Sequence, residues 1–131
     1  MTLLSNHILL IEDDAIDLAL LENILDEFVS GEISCFSSSI EALAYIQSGK
    51  VERIDLLVCD WQMPEVNGID ILQQFRIHYP ESPFLMVTAN ATKELVVDAM
   101  RLGATGFIAK PFVTAELTRK VSDILGITLD N

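Results

Sequence analysis

The amino-acid sequence predicts an α/β fold: a doubly wound, five-stranded parallel sheet with five helices, layered α/β/α. Three observations predict it. Short apolar runs without alternation recur five times, the pattern of strands covered on both faces. Between them lie stretches whose apolar residues recur at helical spacing. Gly, Pro, Asn or Ser marks most of the passages from one kind of stretch to the other. Such alternation makes a parallel sheet with right-handed crossovers and helices on both faces.

The first strand is residues 7–11, where Ile8, Leu9, Leu10 and Ile11 end in Glu12-Asp13-Asp14. Asp14 suits the cap of a helix in which Leu18, Leu21, Leu25 and Phe28 recur, and Ser30-Gly31 is read as its stop. Residues 32–36 make a short second strand. Ser37-Ser38-Ser39 is a loop and cap, Glu41 lies in the first turn of a helix carrying Ile40, Leu43 and Ala44, and Gly49 closes it. Leu56, Leu57, Val58 and Cys59 form the third strand, ended by Asp60. Met63-Pro64 and Asn67-Gly68 mark a turn before a helix with Ile69, Leu72 and Phe75 on one side, and Pro80 and Pro83 bracket its exit.

Residues 84–87 make the fourth strand, followed by Thr88-Ala89-Asn90. A helix over about 92–102 stops at Gly103. Its apolar excess exceeds one buried stripe, and Val96 and Met100 are the residues expected to be exposed. Residues 106–109 make the fifth strand, ending in Lys110-Pro111. The last helix starts near Thr114, carries Leu117, Val121, Ile124 and Leu125, and ends at Gly126. Trp61 and Met63 flank Asp60, Met63 as loop packing.

With 131 residues, half of them apolar and 21% charged, the chain reads as one globular domain over residues 1–131, with a core of about 7–125. No apolar run approaches the roughly 20 residues of a membrane span. The absence of a signal-peptide pattern leads to the expectation of a cytoplasmic protein. The formal charge of −12 argues against direct contact with nucleic acid, which needs a basic face. Cys35 and Cys59 lack C-x-x-C spacing and read as reduced, buried residues. His7 and His78 have no partner at ligand spacing and receive no role.

Parallel strands bring their carboxyl ends to one edge, where open α/β sheets bind ligands. This sequence puts Glu12 and Asp13 there after strand one, Asp60 after strand three, Thr88 after strand four and Lys110 after strand five. Crowded carboxylates repel one another unless a cation lies among them, and oxygen ligands suit Mg²⁺. Lysine offers a point charge for an anionic oxygen, and threonine a hydrogen bond. An aspartate so surrounded can attack phosphorus and hold an aspartyl-phosphate.

Glu12-Asp13, Asp60-Trp61-Gln62-Met63-Pro64 with Asn67-Gly68, Thr88-Ala89 and Lys110-Pro111-Phe112 together resemble the full signature of a response-regulator receiver domain, from about residue 7 to 125. The resemblance implies the flavodoxin-like strand order 2-1-3-4-5. It also implies Asp60 as phosphoacceptor and Asp13 as a direct Mg²⁺ ligand. Glu12 would act on the metal largely through water, and the backbone carbonyl of Gln62 would be a further ligand. Thr88 and Lys110 would contact the phosphoryl oxygens, and Gln62 and Asn90 would border the path of attacking water. The family's switching aromatic falls on Phe107, where many relatives carry tyrosine. Phenylalanine can change rotamer but has no hydroxyl to hydrogen-bond.

By the same resemblance, the partners are a sensor histidine kinase or phosphotransfer protein and a downstream protein target, met through the face of helix four, strand five and helix five. No output domain is visible, which fits either a single-domain regulator or a receiver from a longer protein. Beyond its own phosphorylation and dephosphorylation, no enzymatic turnover is expected. The alternatives are a Mg²⁺-dependent aspartate-nucleophile phosphatase and a phosphorylation-independent scaffold. Phosphatases of the haloacid-dehalogenase type place a second Asp two residues after the first, and here Gln62 stands in that position. Degenerate receivers lose an acid or the lysine, and this chain keeps them all. A dinucleotide site lacks its G-x-G-x-x-G.

Overall fold

A computed structural model describes residues 6–128, so residues 1–5 and 129–131 of the expected domain lie outside the described residues. The strands are β1 (Asn6–Ile11), β2 (Gly31–Phe36), β3 (Leu56–Asp60), β4 (Phe84–Thr88) and β5 (Gly106–Ala109). The helices are α1 (Ala15–Asp26), α2 (Ser39–Gln47), α3 (Gly68–His78), α4 (Lys93–Arg101) and α5 (Thr114–Leu125). All four strand pairings are parallel, and the sheet order is β2-β1-β3-β4-β5. The fold class and the strand order are those expected.

The unbroken apolar strand sequences follow from two covered faces. Leu9, Ile11, Leu57, Cys59, Phe84 and Met86 point into one core with Ala42 and Ile46 of α2, Leu72 and Phe75 of α3 and Ala99 of α4. Their neighbours Ile8, Leu10, Leu56, Val58, Leu85, Val87 and Ile108 point the other way, against Leu21 and Leu25 of α1 and Leu117 and Val121 of α5. At roughly 1.5–3 kcal/mol for each fully buried large aliphatic side chain, both layers are needed to hold the sheet edge in place.

The structure corrects several local expectations. Helix α1 ends at Asp26, short of Ser30-Gly31, and Phe28 packs from the following turn. Gly31 opens β2 at φ 117°, where a Cβ would meet the Asn6 carbonyl oxygen at 2.0 Å. In α2 the buried face is Ala42 and Ile46, while Ile40 is exposed. In α4, Met100 is exposed as expected, but Val97 takes the exposed position expected of Val96, which packs on the core. The run Leu95-Val96-Val97 leaves the helix phase open by one residue, and Ala99 fixes it by being the buried position. Trp61 and Met63 are both core residues. Among the described residues, no helix is long and apolar enough to cross a membrane.

Candidate functional site

Four loops at the carboxyl edge of the sheet build the site. Glu12 follows β1 and is fully buried; its backbone N–H donates to the Phe36 carbonyl of β2. Asp13 is exposed beside it. Asp14 caps α1 by accepting from the Ile16 and Asp17 N–H groups at 2.9 Å each, and its own N–H donates to Glu12 Oε2 at 3.1 Å. The capped N-terminus of α1 thereby ties down the Glu12 carboxylate.

Asp60 ends β3 and is 7% exposed. The turn after it is held by the Trp61 N–H on the Val87 carbonyl and the Gly68 N–H on the Trp61 carbonyl. A Cβ on Gly68 would lie 2.7 Å from the Trp61 Cα, so α3 can begin this close to the acceptor loop only at a glycine. The Gln62 N–H points at Asp60 Oδ1, 3.4 Å away. Thr88 ends β4, is fully buried, and its hydroxyl oxygen accepts from the Asn90 N–H at 3.0 Å. Lys110 follows β5, its N–H donating to the Thr88 carbonyl at 2.8 Å, and the Lys110-Pro111 peptide is cis.

Of these side chains, Glu12, Asp13 and Asp60 lie together, and Lys110 reaches Glu12 and Asp60. Its Nζ lies 2.5 Å from Glu12 Oε1, 3.1 Å from Asp17 Oδ2 and 3.5 Å from Asp60 Oδ2. One carboxylate oxygen each from Glu12, Asp13 and Asp60 lies within 4.8 Å of the others. Burial pushes the Glu12 carboxyl up to about 7; the hydrogen bond from Lys110 works against this shift and the nearby Asp60 adds to it. Burial also raises Asp60, against the opposing influence of Glu12 and Lys110. For Lys110, burial favours the neutral amine, but hydrogen bonds to Glu12 and Asp17 and the charge of Asp60 outweigh it and keep the ammonium charged. An all-oxygen set of three clustered carboxylates fits a hard divalent cation.

Asp17 was not singled out from sequence. It lies in the first turn of α1 and reaches Lys110 across 93 residues of chain. Phe107 is half-buried, with the Lys120 Nζ 4.8 Å from its ring centroid and donating to its carbonyl oxygen. His7 finds partners across strands: its Nε2 lies 3.0 Å from Ser34 Oγ and its Nδ1 3.6 Å from Glu32. That cluster belongs to the opposite end of β1 from Glu12.

Known proteins resemble this chain in sequence and in fold. A family model described as the response regulator receiver domain matches residues 8–122. A chemotaxis protein CheY homolog of Campylobacter jejuni is 29% identical over 121 residues, covering 91% of this chain and 92% of the relative. A CheY-like response regulator receiver domain protein of Methanospirillum hungatei is similar in structure, with TM-score 0.83 and 27% identity over 94% of this chain and 95% of that one. A receiver domain protein of Clostridium thermocellum has TM-score 0.82 and 25% identity over 92% and 94%.

Proposed function

We propose a function from one premise: this chain belongs to the response regulator receiver domain family. Receiver domains are signalling switches. In this chain the switch is phosphorylation of Asp60 by a sensor histidine kinase or a phosphotransfer protein. The observation that carries the reading is the buried Asp60 carboxylate at the sheet edge, facing the Lys110 amine at 3.5 Å with Glu12 and Asp13 alongside.

An Asp60 carboxylate oxygen forms a bond to phosphorus as the bond from phosphorus to the donor imidazole nitrogen breaks, its electron pair remaining on that nitrogen. The protein contributes position and charge rather than a proton. Lys110 supplies a fixed cation to the phosphoryl oxygens, and the Thr88 hydroxyl donates a hydrogen bond to them. Asp13, Asp60, the Gln62 backbone carbonyl and, through water, Glu12 would hold Mg²⁺, which when bound neutralises charge on the phosphoryl oxygens.

Thr88 and Phe107 carry the change outward, to a protein target on the face of α4, β5 and α5. Val97 and Met100, both exposed on α4, and Leu102 beside it are apolar contacts for such a target. A net charge of −12 favours a protein over nucleic acid. The chain acts as one receiver domain with a core of about 7–125, in the cytoplasm. Its only chemistry is its own phosphorylation and dephosphorylation, because Gln62 cannot protonate a leaving group as a second aspartate would.

Intact mass after incubation with acetyl phosphate and Mg²⁺ tests this. Wild type gains one phosphoryl group, whereas Asp60→Asn and metal-free wild type gain none. Undiminished labelling of Asp60→Asn would contradict it.

A further inference from the structure

We propose that Asp17 is a positioning residue that competes with the phosphoryl group for Lys110 and thereby restrains phosphorylation of Asp60. The inference rests on Asp60 being the acceptor. An ammonium has three N–H donors, and in this site they face three carboxylates: Glu12, Asp17 and Asp60. Glu12 and Asp17 accept hydrogen bonds from it, and Asp60 lies at ion-pair distance, so an incoming phosphoryl oxygen competes with these carboxylates for Lys110.

Burial decides which one yields. The side chains of Glu12 and Asp60 are 0% and 9% exposed, and that of Asp17 is 31% exposed. A buried carboxylate that loses its cation has no water to replace it. Asp17 can turn to solvent at little loss, as partly exposed ion pairs do. Of the two carboxylates hydrogen-bonded to Lys110, Asp17 is thus the one given up when the amine engages phosphate, and its hold on Lys110 opposes that engagement.

A second observation points the same way. Asp17 lines a cavity of about 310 Å³ together with Leu20, Ala89, Lys110, Pro111 and Phe112. A small dianionic donor that approaches Lys110 through this cavity meets the Asp17 carboxylate, which repels it. Among the described residues, Asp17 is the one acid on Lys110 that belongs neither to the acceptor nor to the candidate metal set. Its negative charge therefore weakens the lysine without serving the cation.

The test is stopped-flow Trp61 fluorescence during phosphorylation by acetyl phosphate at saturating Mg²⁺, with product checked by intact mass. Wild type, Asp17→Asn and Asp17→Glu are compared at about 0.1 M and about 1 M salt. Asp17→Asn should raise the rate per unit of donor about two- to fivefold at the lower salt, the size expected for releasing one partly exposed ion pair. The gain should shrink to less than about twofold at the higher salt, where exposed charges are screened. Asp17→Glu, which keeps the charge, should remain close to wild type. An Asp17→Asn rate equal to or below wild type would overturn the inference, as would an Asp17→Glu variant as fast as Asp17→Asn. If wild type itself gained no phosphoryl group, the failure would lie with Asp60 as acceptor rather than with Asp17.

Discussion

The amine of Lys110, just beyond β5, lies 3.5 Å from the Asp60 carboxylate at the end of β3, with the whole of β4 between the two strands. The same amine is closer still to the fully buried Glu12. One cation therefore compensates two buried acids. Replacing Lys110 with methionine should destabilise the metal-free protein by about 1–3 kcal/mol at pH 8, since breaking a buried pair leaves charge uncompensated. The loss should be smaller at pH 5.5, where the acids take up protons instead. Denaturant melts at both pH values measure it.

The Glu12 carboxyl yields a pH dependence of its own. Burial raises it to about 7 from an ordinary 4.5. For an acid raised on folding, the stabilising contribution is fully present below the unfolded value and is lost as pH rises through the folded value. Metal-free stability should therefore fall between about pH 4.5 and 7, with a share due to Glu12 of up to about 3 kcal/mol. Asp60, also raised, acts with the same sign. Glu12→Gln should flatten the slope measured by melts from pH 5 to 8. An unchanged slope would remove Glu12 as its source.

Mg²⁺ should stabilise the fold, because a cation that binds only the folded cluster of Glu12, Asp13 and Asp60 shifts the equilibrium by mass action. At ten to a hundred times its dissociation constant, the gain is roughly 1–3 kcal/mol. Trp61, directly after Asp60 and 7% exposed, should change fluorescence in the same titration. Asp13→Ala should lose most of both responses. Without metal it should be at least as stable as wild type, having one fewer repelling carboxylate. A wild-type Mg²⁺ response from Asp13→Ala would count against the metal assignment.

Cys35 and Cys59 should never bridge within one folded chain. Both are free, and β1 runs between them, with Leu10 opposite Cys35 and Ile11 opposite Cys59. Two strand spacings are roughly 9–10 Å, beyond the roughly 7 Å that a disulfide allows. Both thiols should also react slowly in the native state, since burial pushes Cys35 up to about 12 and Cys59 well above the usual range. Non-reducing peptide mapping and thiol titration before and after denaturation check the pair.

Most of the fold and the acidic edge could be read from sequence, for a physical reason. A strand buried on both faces has to be continuously apolar, and parallel strands have to bring their ends together, so Glu12, Asp60, Thr88 and Lys110 converge without any knowledge of packing. What escaped depends on which turn of a helix faces what. Helix α1 stops at Asp26 with no glycine at the stop, and Glu27 caps it in ordinary helical geometry. Ile40 looks like core by composition and is exposed. The pairing of Asp17 with Lys110, like that of His7 with Glu32 and Ser34, exists only once neighbouring elements are placed.

The most direct test of the account is chemical localisation of the phosphoryl group. Protein phosphorylated with acetyl phosphate and Mg²⁺ is reduced with borohydride, which converts an aspartyl-phosphate to homoserine, and the digest is sequenced by mass spectrometry. Homoserine is expected at position 60 alone, and none when Mg²⁺ is withheld. Homoserine at position 13 or 17 with Asp60 intact, or phosphate retained on a serine or threonine, would contradict it.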